Sequence, residues 1–371
     1  MASLLERSLV QAEAQGGALR YQMLETVRER HAAYYLTLAE QARPFLEKPE
    51  PAWLDRLESE HDNLRAALTY FAAQEAMLDQ AVQLAAALIP FWRARGYIYE
   101  QMTWVVGLAL RPTPPTQARV HLLGQAAMAI AIDRGDFLSA KRMLTEMLQI
   151  ARQLEIRVGI ANALNGLAWL MNEAPSAGSE HDPVAARALA EESLAIMREL
   201  GDRQGMANAL FMLGRLASGA GDHDTARTRW LECRSLDQEL GVKGGLVLKS
   251  LGELALERGD YAGARDYFET FLIERHEIGE HWGIMWGLQG LSAVAWAQGE
   301  PKRAARLLGA SLTVRESIAV PLSAEGYASY EARQITMREA LGAAALAVAW
   351  EAGHSMTCEE AVRFALSEGL A

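Results

Sequence analysis

Gly221-Asp222-His223-Asp224-Thr225-Ala226-Arg227 and Gly259-Asp260-Tyr261-Ala262-Gly263-Ala264-Arg265 are one phrase written twice, 38 residues apart. Working outward, Gly299-Glu300 with Ala304-Ala305 repeats it 40 residues later, and Gly135-Asp136 with Ala140-Lys141 and a degenerate His181-Asp182-Pro183 with Ala186-Arg187 precede it. A turn or so after each alanine come bulky residues, in Met143-Leu144, Trp230-Leu231, Tyr267-Phe268 and Leu307-Leu308, the stripe of an amphipathic helix. Seven residues before the glycine stand Gly214, Gly252 and Ser292 in the middle of apolar helical patterns, where a small residue lets a neighbouring helix approach closely; Met128 takes that place in the first unit. The pattern predicts helix, Gly-Asp turn, helix, in five units, and so an all-α chain.

A unit of two helices with a small residue, a glycine, an alanine and an aromatic at these places resembles the tetratricopeptide repeat, whose period is about 34 residues. The longer spacing implies longer helices, and the resemblance implies a right-handed superhelical solenoid of antiparallel helix pairs over 116–320. The match of Ala161-Asn162-Ala163-Leu164 to Ala207-Asn208-Ala209-Leu210 at an offset of 46, against 40 between the turns, locates six inserted residues in the Pro-, Gly- and Ser-containing stretch 173–181, read as a tolerated surface loop. Upstream, Pro90 and Arg111-Pro112-Thr113-Pro114-Pro115 punctuate helical patterns at 53–73, 78–93 and 97–110. Downstream, 324–341 and 343–351 look helical, and Thr357-Cys358-Glu359-Glu360 has the capping-box form that starts a last helix. The expected organisation is therefore 1–30 as a remnant of a winged-helix end plus linker, 31–115 as N-terminal helical pairs, 116–320 as the repeats and 321–371 as a helical cap.

Charge narrows the partners. With 36 Lys+Arg against 47 Asp+Glu the net charge is −11, which repels phosphate backbones and anionic lipid, so neither a nucleic acid nor a membrane is the expected partner. The longest apolar run, 85–92, is too short to span a bilayer. Two cysteines, Cys233 and Cys358, lie 125 positions apart without a CxxC spacing, which argues against a disulfide framework or thiolate zinc site and for a reducing, cytoplasmic setting.

A more particular signature lies near the N-terminus, in Arg20-Tyr21-Gln22-Met23-Leu24-Glu25-Thr26-Val27-Arg28-Glu29, then Arg30-His31-Ala32-Ala33-Tyr34-Tyr35-Leu36, then Glu60-His61-Asp62-Asn63-Leu64-Arg65-Ala66-Ala67-Leu68. Near the other end stand Ala305-Arg306-Leu307-Leu308-Gly309-Ala310, Trp350-Glu351-Ala352-Gly353 and Glu359-Glu360-Ala361-Val362. These words resemble the helical-repeat sensor region of bacterial signal-transduction-ATPase transcriptional regulators, the LuxR-type, maltose-activator-like proteins in which a nucleotide-binding core and a winged helix precede the repeats. No Gly-x-x-x-x-Gly-Lys-Ser/Thr occurs, so the chain has no phosphate loop to hold ATP, and it is read as lacking the ATPase core and a DNA-binding domain.

No residue set points to catalysis. His276 and His281 are five apart, which rotates the imidazoles about 140° from one another, where a zinc-binding helix needs a spacing of four. They are read as a helix end and an inter-repeat turn; His61 beside Asp62 and His223 beside Asp224 are read as surface pairs. There is no Gly-x-Ser-x-Gly elbow, and Cys233, on the inward face of a second helix, reads as a small apolar filler.

Binding has a candidate surface instead. The tetratricopeptide resemblance places positions 2, 5, 9 and 12 of each unit on the concave face: Asn162, Asn165, Trp169 and Asn172; Asn208, Phe211, Arg215 and Ser218; Leu246, Lys249, Glu253 and Leu256; Trp286, Gln289, Ala293 and Trp296. Asparagines are poor helix formers whose amides suit an extended peptide backbone or a polar small molecule. Arg215 and Lys249 suit an anion, and the tryptophans supply flat apolar area. The expectation is a non-catalytic sensor or docking arm of transcriptional control. It would bind a peptide, a small molecule or a partner protein and need no cofactor or metal; a homo-oligomer and, as the rival class, an enzyme on helical pairs remain open.

Overall fold

The Gly-Asp phrases are joints between helices, and their geometry accounts for both residues. Gly135, Gly221, Gly259 and Gly299 all take left-handed backbone, with φ of 63°, 76°, 75° and 79°, where a missing Cβ removes the steric cost of ending a helix. The next residue starts the following helix. Asp136 accepts from the Ser139 N–H at 2.9 Å, Asp222 from Thr225 at 3.1 Å and Asp260 from Gly263 at 3.0 Å, each satisfying an otherwise orphaned amide of a helix N-terminus. The same joint also links one repeat to the next: Gly201 has φ 67° and Asp202 accepts from Gly205 N–H at 2.9 Å.

The computed structural model describes residues 10–15, 18–23, 25–46, 51–173, 182–243, 245–317 and 324–367. Its contacts divide the chain into two units, Met1–Ile196 and Met197–Ala371. The inserted stretch beyond Glu173, residues 174–181, and the joint residue His181 within it lie outside the described residues.

The first unit opens with a hairpin of β1 (Val10–Gln15) and β2 (Ala18–Met23), antiparallel with Val10 opposite Met23. Helices follow: α1 (Glu25–Leu46), α2 (Pro51–Ser59), α3 (His61–Ala72), a 3-10 turn at Glu75–Met77, α4 (Leu78–Arg95), α5 (Ile98–Ala109), α6 (Gln117–Arg134), α7 (Phe137–Gln153), α8 (Arg157–Glu173) and α9 (Pro183–Leu200), whose last turn belongs to the second unit. The all-α reading holds for everything after the hairpin. Leu64, Leu68, Leu84, Phe91, Trp92, Leu122 and Leu123 are fully buried at its centre.

The signature words of the sequence meet here. Tyr35 donates its hydroxyl to Glu60 at 2.7 Å, Asn63 donates to the same carboxylate at 2.7 Å, and His31 Nε2 lies 3.3 Å from Asn63 Oδ1. These hydrogen bonds hold the Glu60 carboxyl below the ordinary range, while burial and the facing Glu60 push the Tyr35 hydroxyl up to about 12. His61 corrects its expected place on the surface: it is buried against Phe91 and Tyr97, with Nε2 3.1 Å from Glu100 Oε1. Its neighbour Asp62 remains outside on the same helix, because adjacent residues point to different faces. The proline run after α5 leaves that helix end without a continuing ladder, and the buried Arg119 fills the gap. Its guanidinium donates to the carbonyls of Leu108, Ala109 and Arg111 at 3.0–3.2 Å and pairs with Glu146 at 2.8 Å.

The second unit contains α10 (Arg203–Gly219), α11 (His223–Leu240), α12 (Leu246–Glu257), α13 (Tyr261–Glu277), α14 (His281–Ala297), α15 (Pro301–Ser317), α16 (Ala324–Leu341), α17 (Ala343–His354) and α18 (Cys358–Leu366). Most are 17 or 18 residues long, the extra length that the 38–40 spacing implies. The small residues do what their spacing predicts. A Cβ on Gly214 would collide with the Trp230 ring, Phe268 fills the space left by Gly252 and Gly290, and Ser292 donates to the Ala304 carbonyl at 2.8 Å. At the C-terminal end α17 crosses α15 with backbone almost on backbone: a Cβ on Gly353 would strike the Arg306 carbonyl, and one on Gly309 would lie 2.5 Å from the Trp350 oxygen. Thr357 and Glu360 close the capping box of α18 reciprocally.

Candidate functional site

The predicted stripe is shared between the two units. In the first, Asn162, Asn165, Trp169 and Asn172 all lie along α8. Asn162 is exposed and the other three are half-buried. Asn165 is the notable one, because among the described residues nothing donates to its buried Oδ1, an arrangement that costs stability. Asn172 donates to Glu173 at 3.3 Å, and Trp169 leans on Phe137 with ring centres 6.4 Å apart, so that tryptophan also serves packing.

In the second unit, Asn208 is exposed, and Phe211, Arg215 and Ser218 are half-buried on α10. Asn208 accepts from Gln204 at 3.4 Å and Arg215 is engaged within the protein. On α12, Lys249 pairs with Glu253 at 2.6 Å while its ammonium stands 6.0 Å from the centre of the Trp286 ring on α14, a charge placed over a π face. Trp282 joins Trp286 at 5.9 Å. Gln289 is drawn inward, donating to the Tyr330 hydroxyl of α16 at 2.7 Å, and Tyr330 in turn meets Ser311 at 2.8 Å.

Three further stripe residues, Leu256, Ala293 and Trp296, converge on a cavity of about 440 Å³. Tyr261 on α13 and Arg333 and Met337 on α16 also line it. The lining is largely apolar, with one guanidinium that makes no ion pair among the described residues. A volume of this order is typical of pockets that receive small molecules or a large side chain. The α16 residues were not singled out from the sequence, since that helix lies beyond the last repeat and no periodicity ties it to α14.

The remaining candidates fall in place as structure. His276 ends α13 and pairs with Glu359 at 3.0 Å, and His281 begins α14 across the Gly279-Glu280 joint. Cys233 is buried in α11, and burial, with Asp237 nearby, pushes its thiol up to about 12, far from a nucleophile's range. Among the described residues no three His, Cys, Asp or Glu side chains converge as metal ligands, and no helix is long and apolar enough to cross a membrane.

No family model matches the chain. A segment is 32% identical over 117 residues to proteins named as HTH-type transcriptional regulators in Mycobacterium bovis and Mycobacterium tuberculosis; the match takes in 27% of this chain and spans 13% of the length of those relatives. Among solved structures, a signal transduction ATPase with numerous domains and a tetratricopeptide repeat sensor, from Pyrococcus horikoshii, aligns with 94% of this chain and 60% of its own at 14% identity and a TM-score of 0.46. The apo form of RapI aligns with 78% of this chain and 98% of its own at 12% identity and a TM-score of 0.53. At that identity the likeness to RapI is one of fold, and with the joints and helix pairs described above it shows an all-α, tetratricopeptide-like helical repeat.

Proposed function

We propose that this chain is a non-catalytic binding module, the sensor or docking arm of a bacterial transcriptional regulator. It receives a peptide, a small molecule or a partner protein on the first-helix faces of its repeats. The observation that carries this reading is the cavity of about 440 Å³ where Leu256, Ala293 and Trp296 meet. Three positions of the stripe, the proposed binding residue Trp296 among them, line an apolar hollow there. An apolar side chain or ring fits between Trp296 and Met337, and Arg333 at the wall favours a ligand with negative charge nearby. The segment shared with regulators named as HTH-type supports the regulatory setting, and the net charge of −11 supports recognition of something other than a nucleic-acid backbone.

The test is a thermal-shift screen of peptides and metabolites, with each hit titrated against variants by calorimetry. Ala293→Leu fills the cavity and Trp296→Ala removes its wall; both are expected to weaken a hit at least about tenfold, the loss of one well-buried apolar contact. On α8 and α10, Asn165→Ala and Arg215→Ala report whether the polar stripe contributes, the arginine by more if the ligand is anionic. Hits that bind all four variants with undiminished affinity would overturn the reading.

A further inference from the structure

We infer that the cavity of about 440 Å³ lined by α12, α13, α14 and α16 receives a small free acid, one carboxylate joined by a short chain to an apolar ring. The inference rests on the reading of the chain as a binding module and names the class of ligand for that site.

The lining grades from dry to wet. Ser292 of α14 and Met337 of α16 are buried, at 2% and 4% exposed, and form the floor; Trp296 is half-buried on the wall, and Tyr261, Arg333 and Thr336 are exposed at the mouth. The floor asks for no hydrogen bond. Ser292 donates to the Ala304 carbonyl at 2.8 Å, and among the described residues no side-chain atom of this lining is buried without a partner. Thr336 likewise spends its proton on the Ala332 carbonyl at 3.0 Å. What fills the floor is therefore apolar, and a ring there gains an aromatic neighbour in Trp296. A sugar would strand its hydroxyls in the same place.

Charge belongs to the other end. Arg333 is the one ionised residue of this lining, with no acid beside it in the wall. In two other hollows of the chain the cations share their walls with carboxylates, Arg227 and Arg258 with Asp260 and Asp266, and Lys141 and Arg142 with Glu146. Arg333 precedes Met337 by one helical turn, so the guanidinium stem and the buried thioether lie on one face of α16. A ligand that enters ring first leaves its anion at the guanidinium. A single positive charge matches a carboxylate, whereas a phosphate monoester, with a charge near −2, would keep uncompensated charge against apolar walls.

Phenylpropionate and its uncharged amide are the probes. NMR of methyl-labelled methionine follows the 14 methionines of the chain at neutral pH, with Met337 assigned through Met337→Leu. The acid is titrated in at ionic strength held constant with sodium chloride, and the amide and glucose are titrated in parallel. The acid is expected to move the Met337 methyl signal saturably and to bind about tenfold tighter than the amide, with no response to glucose. Arg333→Gln, a change at an exposed position, is expected to weaken the acid about tenfold and to leave the amide unchanged. An acid that binds no better than the amide, or equally well to Arg333→Gln, would overturn the ligand class and leave the binding-module reading standing. A Met337 signal that stays still in acid and amide alike overturns the inference as well, and the open screen of peptides and metabolites then decides the module reading separately.

Discussion

Glu155 sits where most other joints carry glycine. Between α7 and α8 its φ is 56°, the left-handed backbone that Gly201, Gly241 and Gly279 adopt at the corresponding turns. A side chain there costs about 1 kcal/mol against glycine, and Glu155 is exposed, so nothing in the packing requires it. Glu155→Gly is expected to raise stability by about 0.5–1 kcal/mol, read as a higher urea midpoint at an unchanged slope. His121 on α6 supplies the opposite effect with pH. Burial first, then the charges of Arg43 and Arg93, lower its folded pKa to about 4. This lies below the value near 6.5 of an unfolded histidine, so the unfolded chain takes up a proton first and stability falls as pH drops through 6.5. Between pH 7.5 and 6.0 this removes about 0.8 kcal/mol, a loss that His121→Gln is expected to abolish. The comparison uses urea unfolding of both proteins; equal losses in the two would refute the assignment.

Helix pairs are the units in which stability is organised. At the Gly-Asp joints glycine ends one helix and aspartate caps the next, and the bulky residues of a second helix settle against the small residue of the first, as Trp230 does against Gly214. Removing residues 243–279 takes out α12 and α13 together with both partners of the Lys243–Glu277 ion pair, and leaves Glu280 to cap α14. The shortened chain is expected to keep its helicity per residue in circular dichroism and to melt cooperatively, since each pair depends mainly on its neighbours. Collapse to an unfolded chain would show that the second unit has one indivisible core.

Across the whole molecule, the period carried most of the information. Three Gly-Asp phrases and two variants of them, spaced 38–46 residues apart, are enough to read the fold, because a joint of this kind acts locally and needs no distant partner. What acts at a distance left no mark in the sequence. His61 reads as half of a surface pair with Asp62, yet Glu100, thirty-nine residues on, meets its ring inside. Gln289 could not be seen to meet Tyr330 across the end of the repeats. The stripe itself was legible as a set of positions, but which of them face a cavity depended on α16, outside the period. A molecule built from near-neighbour contacts is also expected to lose structure in stages. With nine tryptophans spread along it, urea unfolding followed by fluorescence should not coincide with unfolding followed by circular dichroism. Superimposable curves would instead describe a single cooperative domain.

The crossing of α17 over α15 has a consequence for how such a stack stays finite. An array of like units leaves at its last helix a surface shaped to receive another unit, and two copies of the chain could join head to tail there and go on joining into a filament. With Gly353 pressed onto the Arg306 carbonyl and Gly309 onto that of Trp350, α17 lies backbone to backbone on α15 and covers that face of it. If that cover keeps copies of the chain apart, Gly353→Ala or Gly309→Ala, which would lift α17 away, is expected to yield oligomers visible in size-exclusion chromatography.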